Sequence, residues 1–239
     1  MKIRIRFTKH GAVRYIGHLD VMRYFQKCIR RAKLNVSYTG GYSPHQIMTF
    51  ASPLGVGMES EGEYMDIGVD DERPDTKAIL AALNDASVPG IRIRSVRVLP
   101  EDAGNAMASV FASEYEIRFY EDKKDLCPDK EIIGNMIERM LSSECCIYHK
   151  QTKKTSRDIN LKEFIYKLEM TGDNEPVIRM TINSSSADSI KPVFVMEYLF
   201  DLAGCSLPDN ALKITRLDMF TQGEDGELIS LENIGYEQS

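Results

Sequence analysis

The sequence predicts an α+β fold, and three observations lead there. Short segments with period-two alternation are interleaved with amphipathic segments of helical period, in the order βαββαβ. A stretch of small and polar residues with neither period, 99–112, then interrupts the chain. Beyond it the same order recurs, as a repeat of topology without visible sequence identity. Right-handed βαβ crossovers around a hairpin generate a four-stranded antiparallel sheet with both helices on one face, so the expectation is two tandem ferredoxin-like domains. At 239 residues, 43% hydrophobic and 28% charged, the chain can bury two cores of roughly 100 residues each. The expected divisions are 1–98, a linker at 99–112, a second domain at 113–221 and a loosely ordered acidic tail at 222–239.

Taken in order, residues 2–8 alternate, with Ile3, Ile5 and Phe7 to one side and Lys2, Arg4 and Arg6 to the other, as in a half-buried strand. From Gly17 to Lys33, Leu19, Met22, Cys28, Ile29 and Ala32 recur at helical spacing, with Asp20 near the start and bases toward the end. Residues 46–52 and 62–69 read as a hairpin. A helix over 75–86 leads through Pro89-Gly90 to a strand at 91–98. In the second half the pattern predicts a strand at 114–120, a helix at 129–142 and an extended stretch from 144 to 171. That stretch carries an inserted basic loop with Lys150, Lys153, Lys154 and Arg157. A strand at 176–182, a helix at 192–203 and a strand at 212–220 close the repeat.

Charge is unevenly distributed. The first fifty residues hold ten Lys/Arg against one acid, Asp20, and three of the four histidines; the remaining 189 residues hold 20 bases and 35 acids. An overall pI near 5.4 conceals a segment of about +9 followed by one of about −15. The N-terminus lacks the apolar run of a signal peptide, and no stretch reaches about 18 uninterrupted apolar residues, so a cytoplasmic protein that does not cross the membrane is expected. The five cysteines have no C-x-x-C and no metal-ligand spacing with histidine, so no metal or other cofactor is expected.

On a helix, Arg23, Lys27, Arg30 and Arg31 fall at i, i+4, i+7 and i+8, one stripe opposite the apolar face. Solvated helix faces ordinarily interleave both signs, and here only Asp20 is available. With Arg4, Arg6 and Arg14 on the strand and turn, the stripe fits a polyphosphate chain, meaning RNA or single-stranded nucleic acid. Tyr38 and Tyr42 among the bases suit stacking of unpaired bases, while others of the aromatic residues fill the core. Gly40 and Gly41, followed by Pro44 and His45, form a loop that either cradles a phosphate or is a plain turn; it lacks the Walker and dinucleotide patterns. His18 and His45 are weak candidates for catalysis. Two imidazoles near a phosphodiester suit metal-independent RNA cleavage, and His18 equally serves to satisfy a helix N-terminus.

Taken together, Ile3-Arg4-Ile5-Arg6-Phe7, Gly17-His18-Leu19-Asp20, Arg30-Arg31-Ala32, Tyr38 through His45, Phe50-Ala51-Ser52-Pro53-Leu54 and Glu59-Ser60-Glu61-Gly62-Glu63-Tyr64 resemble the radical SAM-associated protein family, a domain of unknown function. The match is specific over 1–70 and thins beyond to scattered positions such as Arg157-Asp158 and Thr215-Arg216. Gly17 stands where the pattern has a serine and Gln46 where it has a proline. Members occur beside, or fused to, a cobalamin-binding radical SAM protein, so the resemblance implies such a partner. The chain lacks the C-x-x-x-C-x-x-C site of those enzymes. Three functions are therefore expected from the sequence: a non-catalytic RNA-binding accessory protein that works with a radical SAM enzyme, as in tRNA or rRNA modification; a metal-independent RNA-processing nuclease using His18 and His45; or a protein-docking scaffold without nucleic acid.

Overall fold

Strand β1 (Lys2–Lys9) is the spine of the first half of the fold. Its neighbours β3 (Glu59–Gly68) and β4 (Ile93–Val98) both run antiparallel to it, and β2 (Met48–Phe50) pairs antiparallel with the second half of β3. These relations come from a computed structural model that describes residues 1–151, 156–173 and 175–239. Two units are present: Met1–Ala112 with Arg216–Ser239, and Ser113–Thr215. The fold is mixed α+β with open, mostly antiparallel sheet. No helix among the described residues is long and apolar enough to cross a membrane.

In the first unit, Ile3, Ile5 and Phe7 of β1 join Met65 and Ile67 of β3 and Val96 and Val98 of β4 in one core. Two helices cover it: α1 (His18–Arg31) with Val21, Phe25, Cys28 and Ile29, and α2 (Thr76–Asp85) with Ile79 and Leu83. Each such side chain contributes about 1.5–3 kcal/mol through burial. The Asp75 carboxylate accepts from the Lys77 and Ala78 amides and caps α2.

The chain returns to this unit at its end. β10 (Leu212–Gln222) is divided between the units at Thr215/Arg216 and neighbours β3; β11 (Leu228–Ser230) pairs antiparallel with β10. Leu231 and Met219 are buried beside Tyr64, with Ile234 packed against them. The Gln238 carbonyl accepts from the amide and hydroxyl of Thr76 at 2.8 and 2.9 Å, and Tyr236 bridges to Val98. The sequence expectation closed the second domain at 221 and left 222–239 as a loose acidic tail. The difference arises because Leu228, Leu231 and Ile234 are spaced between the acids and supply anchors that a count of charge alone overlooks. Likewise 99–112 is not merely a linker: it holds α3 (Ala106–Ser109), and Ala106 and Val110 lie buried with Ala51 and Tyr64. Removing residues 223–239 is expected to lower the stability of the first unit by about 3 kcal/mol or more, read as a drop in the urea midpoint.

In the second unit the strand order is β10, β5 (Ala112–Phe119), β9 (Val177–Asn183), β8 (Ile165–Thr171), with β8 and β9 antiparallel. Helix α4 (Lys130–Ser142) buries Ile133, Met136, Ile137 and Met140, and α5 (Pro192–Leu202) buries Val195, Met196, Leu199 and Phe200. The extended stretch expected at 144–171 resolves into a separate antiparallel hairpin, β6 (Ile147–Gln151) and β7 (Ser156–Asn160), then a 3₁₀ turn at Leu161–Phe164 and β8. Of the expected basic loop, Lys153 and Lys154 lie outside the described residues, and Arg157 is exposed 3.8 Å from Asp188.

Candidate nucleic-acid interface

Helix α1 presents its bases as the periodicity requires. Val21, Phe25, Cys28 and Ile29 face the core, and Arg23, Lys27, Arg30 and Arg31 are all exposed on the opposite side. Asp20 sits in the first turn and Arg30 and Arg31 in the last, each where the helix dipole favours its charge. Arg23 lies 3.5 Å from Asp20, an exposed pair worth little in stability. Arg30 Nε donates to the Gln26 carbonyl at 3.2 Å. Arg31 donates to the Ala86 carbonyl at 3.0 Å and lies over the Tyr24 ring at 5.9 Å, so its head is held in place. Lys27 has no ion-pair partner among the described residues.

The bases of β1 stand differently. Arg4, expected on a solvent face, is 1% exposed: its Nε and Nη2 donate to Asp66 at 2.8 and 3.0 Å, and Nη2 also reaches the Gly104 carbonyl at 3.2 Å. Arg6 donates to Glu232 and to the Leu217 carbonyl and lies 3.8 Å from Asp218. Burial works against its charge, but Tyr64, Asp218 and Glu232 outweigh it and raise the guanidinium's pKa. Arg14 donates to Glu59 at 3.3 Å and to the Tyr15 hydroxyl at 2.7 Å. The half-buried strand of the sequence reading is thus corrected to one buried on both faces. Its second face is covered by 104–110 and by the returning C-terminal segment, whose acids neutralise what alternation alone assigns to water. The helix stripe and the strand bases do not form one groove.

The glycine loop is exposed. The Thr39 amide donates to the His45 carbonyl at 2.9 Å, and the His45 amide to the Thr39 hydroxyl at 3.1 Å, closing a turn in which Gly41 takes φ 102°. Tyr38 and Tyr42 project into solvent from it, and Gly40, Pro44 and His45 are exposed with them. The two candidate catalytic histidines have separate surroundings. His45 Nδ1 lies 3.1 Å from the Thr39 hydroxyl, whereas His18 packs edge-on against Phe50 with centroids 5.5 Å apart.

A buried polar cluster went unrecognised in the sequence. Arg216 is 1% exposed; its Nε and Nη2 donate to Glu63 at 2.8 and 2.7 Å, and Nη2 donates to the Ser52 carbonyl at 2.8 Å. The Tyr64 hydroxyl donates to Asp218 and lies 3.4 Å from the Ser230 hydroxyl. The available signal was Glu59-Ser60-Glu61-Gly62-Glu63, acids on a strand opposite basic β1, with a glycine that permits close approach. A Cβ on Gly62 would lie 2.7 Å from the Leu217 carbonyl oxygen. Burial, then the neighbouring Asp218 carboxylate, pushes the Tyr64 phenol far above its ordinary value of 10. A raised pKa means that the folded state holds this proton more tightly, so the contribution to stability is complete below about pH 10 and is lost as pH rises beyond it. Wild type should therefore lose up to about 1.4 kcal/mol per pH unit above pH 10 more steeply than Tyr64→Phe, measured by urea unfolding between about pH 8 and 11.

The fold and this surface define a mixed α+β protein whose first unit carries one exposed basic helix face on a scaffold of internally paired charges. The chain belongs to a bacterial family described as uncharacterized conserved proteins (DUF2344), whose model matches residues 2–192. No protein of curated function matches it. Among solved structures, 93% of the chain aligns with 50% of a chain in a Cbf5–Nop10–Gar1 complex at 11% identity and TM-score 0.45. It also aligns over 90% of its length with 46% of a chain in an H/ACA RNP bound to a substrate RNA containing 2'-deoxyuridine, at 10% identity and TM-score 0.41. The chain spans about half the length of these two. An unknown protein from Galdieria sulphuraria aligns over 96% of this chain and 98% of its own at 14% identity and TM-score 0.26.

Proposed function

We propose that the protein is a non-catalytic RNA-binding accessory protein that grips a phosphate chain with the outer face of α1. The observation that carries this is the stripe of Arg23, Lys27, Arg30 and Arg31, all exposed, with Asp20 as the one acid on the helix. Clustered cations without interleaved acids supply the counterion release that drives binding to a polyanion. Exposed Tyr38 and Tyr42 on the neighbouring glycine loop offer rings for unpaired bases. Each unit is proposed to be a ferredoxin-like module, since βαββαβ runs through the first unit and, with the separate β6–β7 hairpin set aside, through the second. The family resemblance adds a radical SAM partner; the RNA reading itself extends to tRNA or rRNA as the substrate of that partner, in the cytoplasm. The test is RNA binding by the full chain at low salt across a salt series. A slope of log K against log salt near −3 is expected for about four phosphates of a single strand, and undetectable affinity at about 50 mM salt would sink the reading.

A further inference from the structure

Lys9, the last residue of β1, turns its side chain into the first unit and is 2% exposed. Its Nζ donates to the Ile16 carbonyl at 2.9 Å, and among the described residues no carboxylate lies within ion-pair distance of it. Glu63, the acid beside it, is engaged on both oxygens by Arg216. The cluster therefore buries two cations around one carboxylate. An ammonium withdrawn from water without a counter-charge is costly, and burial, opposed by Glu63 and aided by Arg216, lowers its pKa. Against Lys9 lies a cavity of about 20 Å³, lined also by Phe7, His18, Phe50, Ser52 and Glu63. That volume holds one water-sized oxygen and excludes a base or a whole nucleotide. Half-buried His18 and Leu54 and exposed Pro53 form its outer wall, and His18 with Val21 places it at the first turn of the helix that carries the basic stripe.

We propose that this cavity is an anion subsite taking one non-bridging phosphate oxygen, with Lys9 Nζ as donor, and that it anchors one phosphate of the chain held along α1. The second half of the proposal rests on the RNA reading. The phosphate oxygen fills the cavity and supplies the counter-charge that the fold leaves out, which gives the buried ammonium a purpose that packing does not.

The test uses the full chain, inorganic phosphate and an oligouridylate, with wild type and Lys9→Met. Lys9→Met is expected to weaken oligouridylate binding about tenfold at about 50 mM salt and to make the salt slope shallower by about 0.7. It is also expected to abolish saturable binding of inorganic phosphate seen by titration calorimetry. Equal salt slopes and equal phosphate affinity in the two proteins would overturn the subsite and leave the RNA reading standing. Wild type that binds phosphate through Lys9 but no RNA would support a free-phosphate site and overturn the RNA reading. If neither ligand binds wild type, both are overturned. Should Lys9→Met fail to fold, the nitrogen resonance of the Lys9 side chain in wild type decides: a shift on adding phosphate is expected, and an unmoved resonance overturns the subsite.

Discussion

An Arg23→Gln, Lys27→Gln, Arg30→Gln variant should bind single-stranded RNA about 500-fold more weakly than wild type at about 50 mM salt. Each neutralised phosphate of a single strand contributes about 0.7 to the slope of log K against log salt, so removing three bases makes it shallower by about 2. The loss is large at low salt and fades toward molar salt, which separates it from damage to the fold. Stability should move little, because among the described residues Arg23 is engaged only by exposed Asp20 and Arg30 only by the Gln26 carbonyl. Arg31 is left in place since it ties α1 to Ala86 and lies over Tyr24. Filter binding over a salt series reads the result, and an unchanged slope would remove α1 from the interface.

Glu63→Gln should cost the first unit about 3–5 kcal/mol. The substitution keeps size and shape while leaving Arg216 and Lys9 as buried cations with no acid between them. Most of the penalty is the desolvation of the stranded guanidinium, since a buried pair gains little net free energy over apolar residues of equal volume. It follows that Glu63→Gln combined with Arg216→Met should recover a large part of the loss. Urea unfolding of both variants measures this, and a cost below about 1 kcal/mol for the single change would show that water reaches Arg216.

The regular elements of the first unit were legible because they obey local rules. The alternation of Ile3, Ile5 and Phe7, the helical spacing of Cys28 and Ile29 and the Pro89-Gly90 turn each declare themselves within a few residues. The exposed stripe on α1 was legible for the same reason. What could not be read was partnership across the chain. Arg4 looks solvated until Asp66, 62 residues on, is set opposite it, and Arg6 until Glu232 arrives from 226 residues away. Lys9 looked like one more base of the basic segment. Its burial follows from the closing of His18 and Val21 of α1 and of residues 50–54 around the end of β1, a tertiary event with no local trace. The acids at 222–239 misled for the complementary reason: charge density marks disorder only where apolar anchors are missing.

The return of residues 216–239 to the first unit sets an order of events during synthesis. Residues 113–215 are contiguous and can fold once they have left the ribosome, while Glu63 waits for a partner 153 residues downstream. At about 5–20 residues per second that interval is roughly 8–30 s. Throughout it the first half of β3 has an open edge. The acids Glu59, Glu61 and Glu63 there repel a second nascent strand, and Gly62 weakens the segment's grip on any partner but the one it is shaped for. The same carboxylate that later holds Arg216 in the core thus first protects an unfinished protein from its neighbours on the polysome.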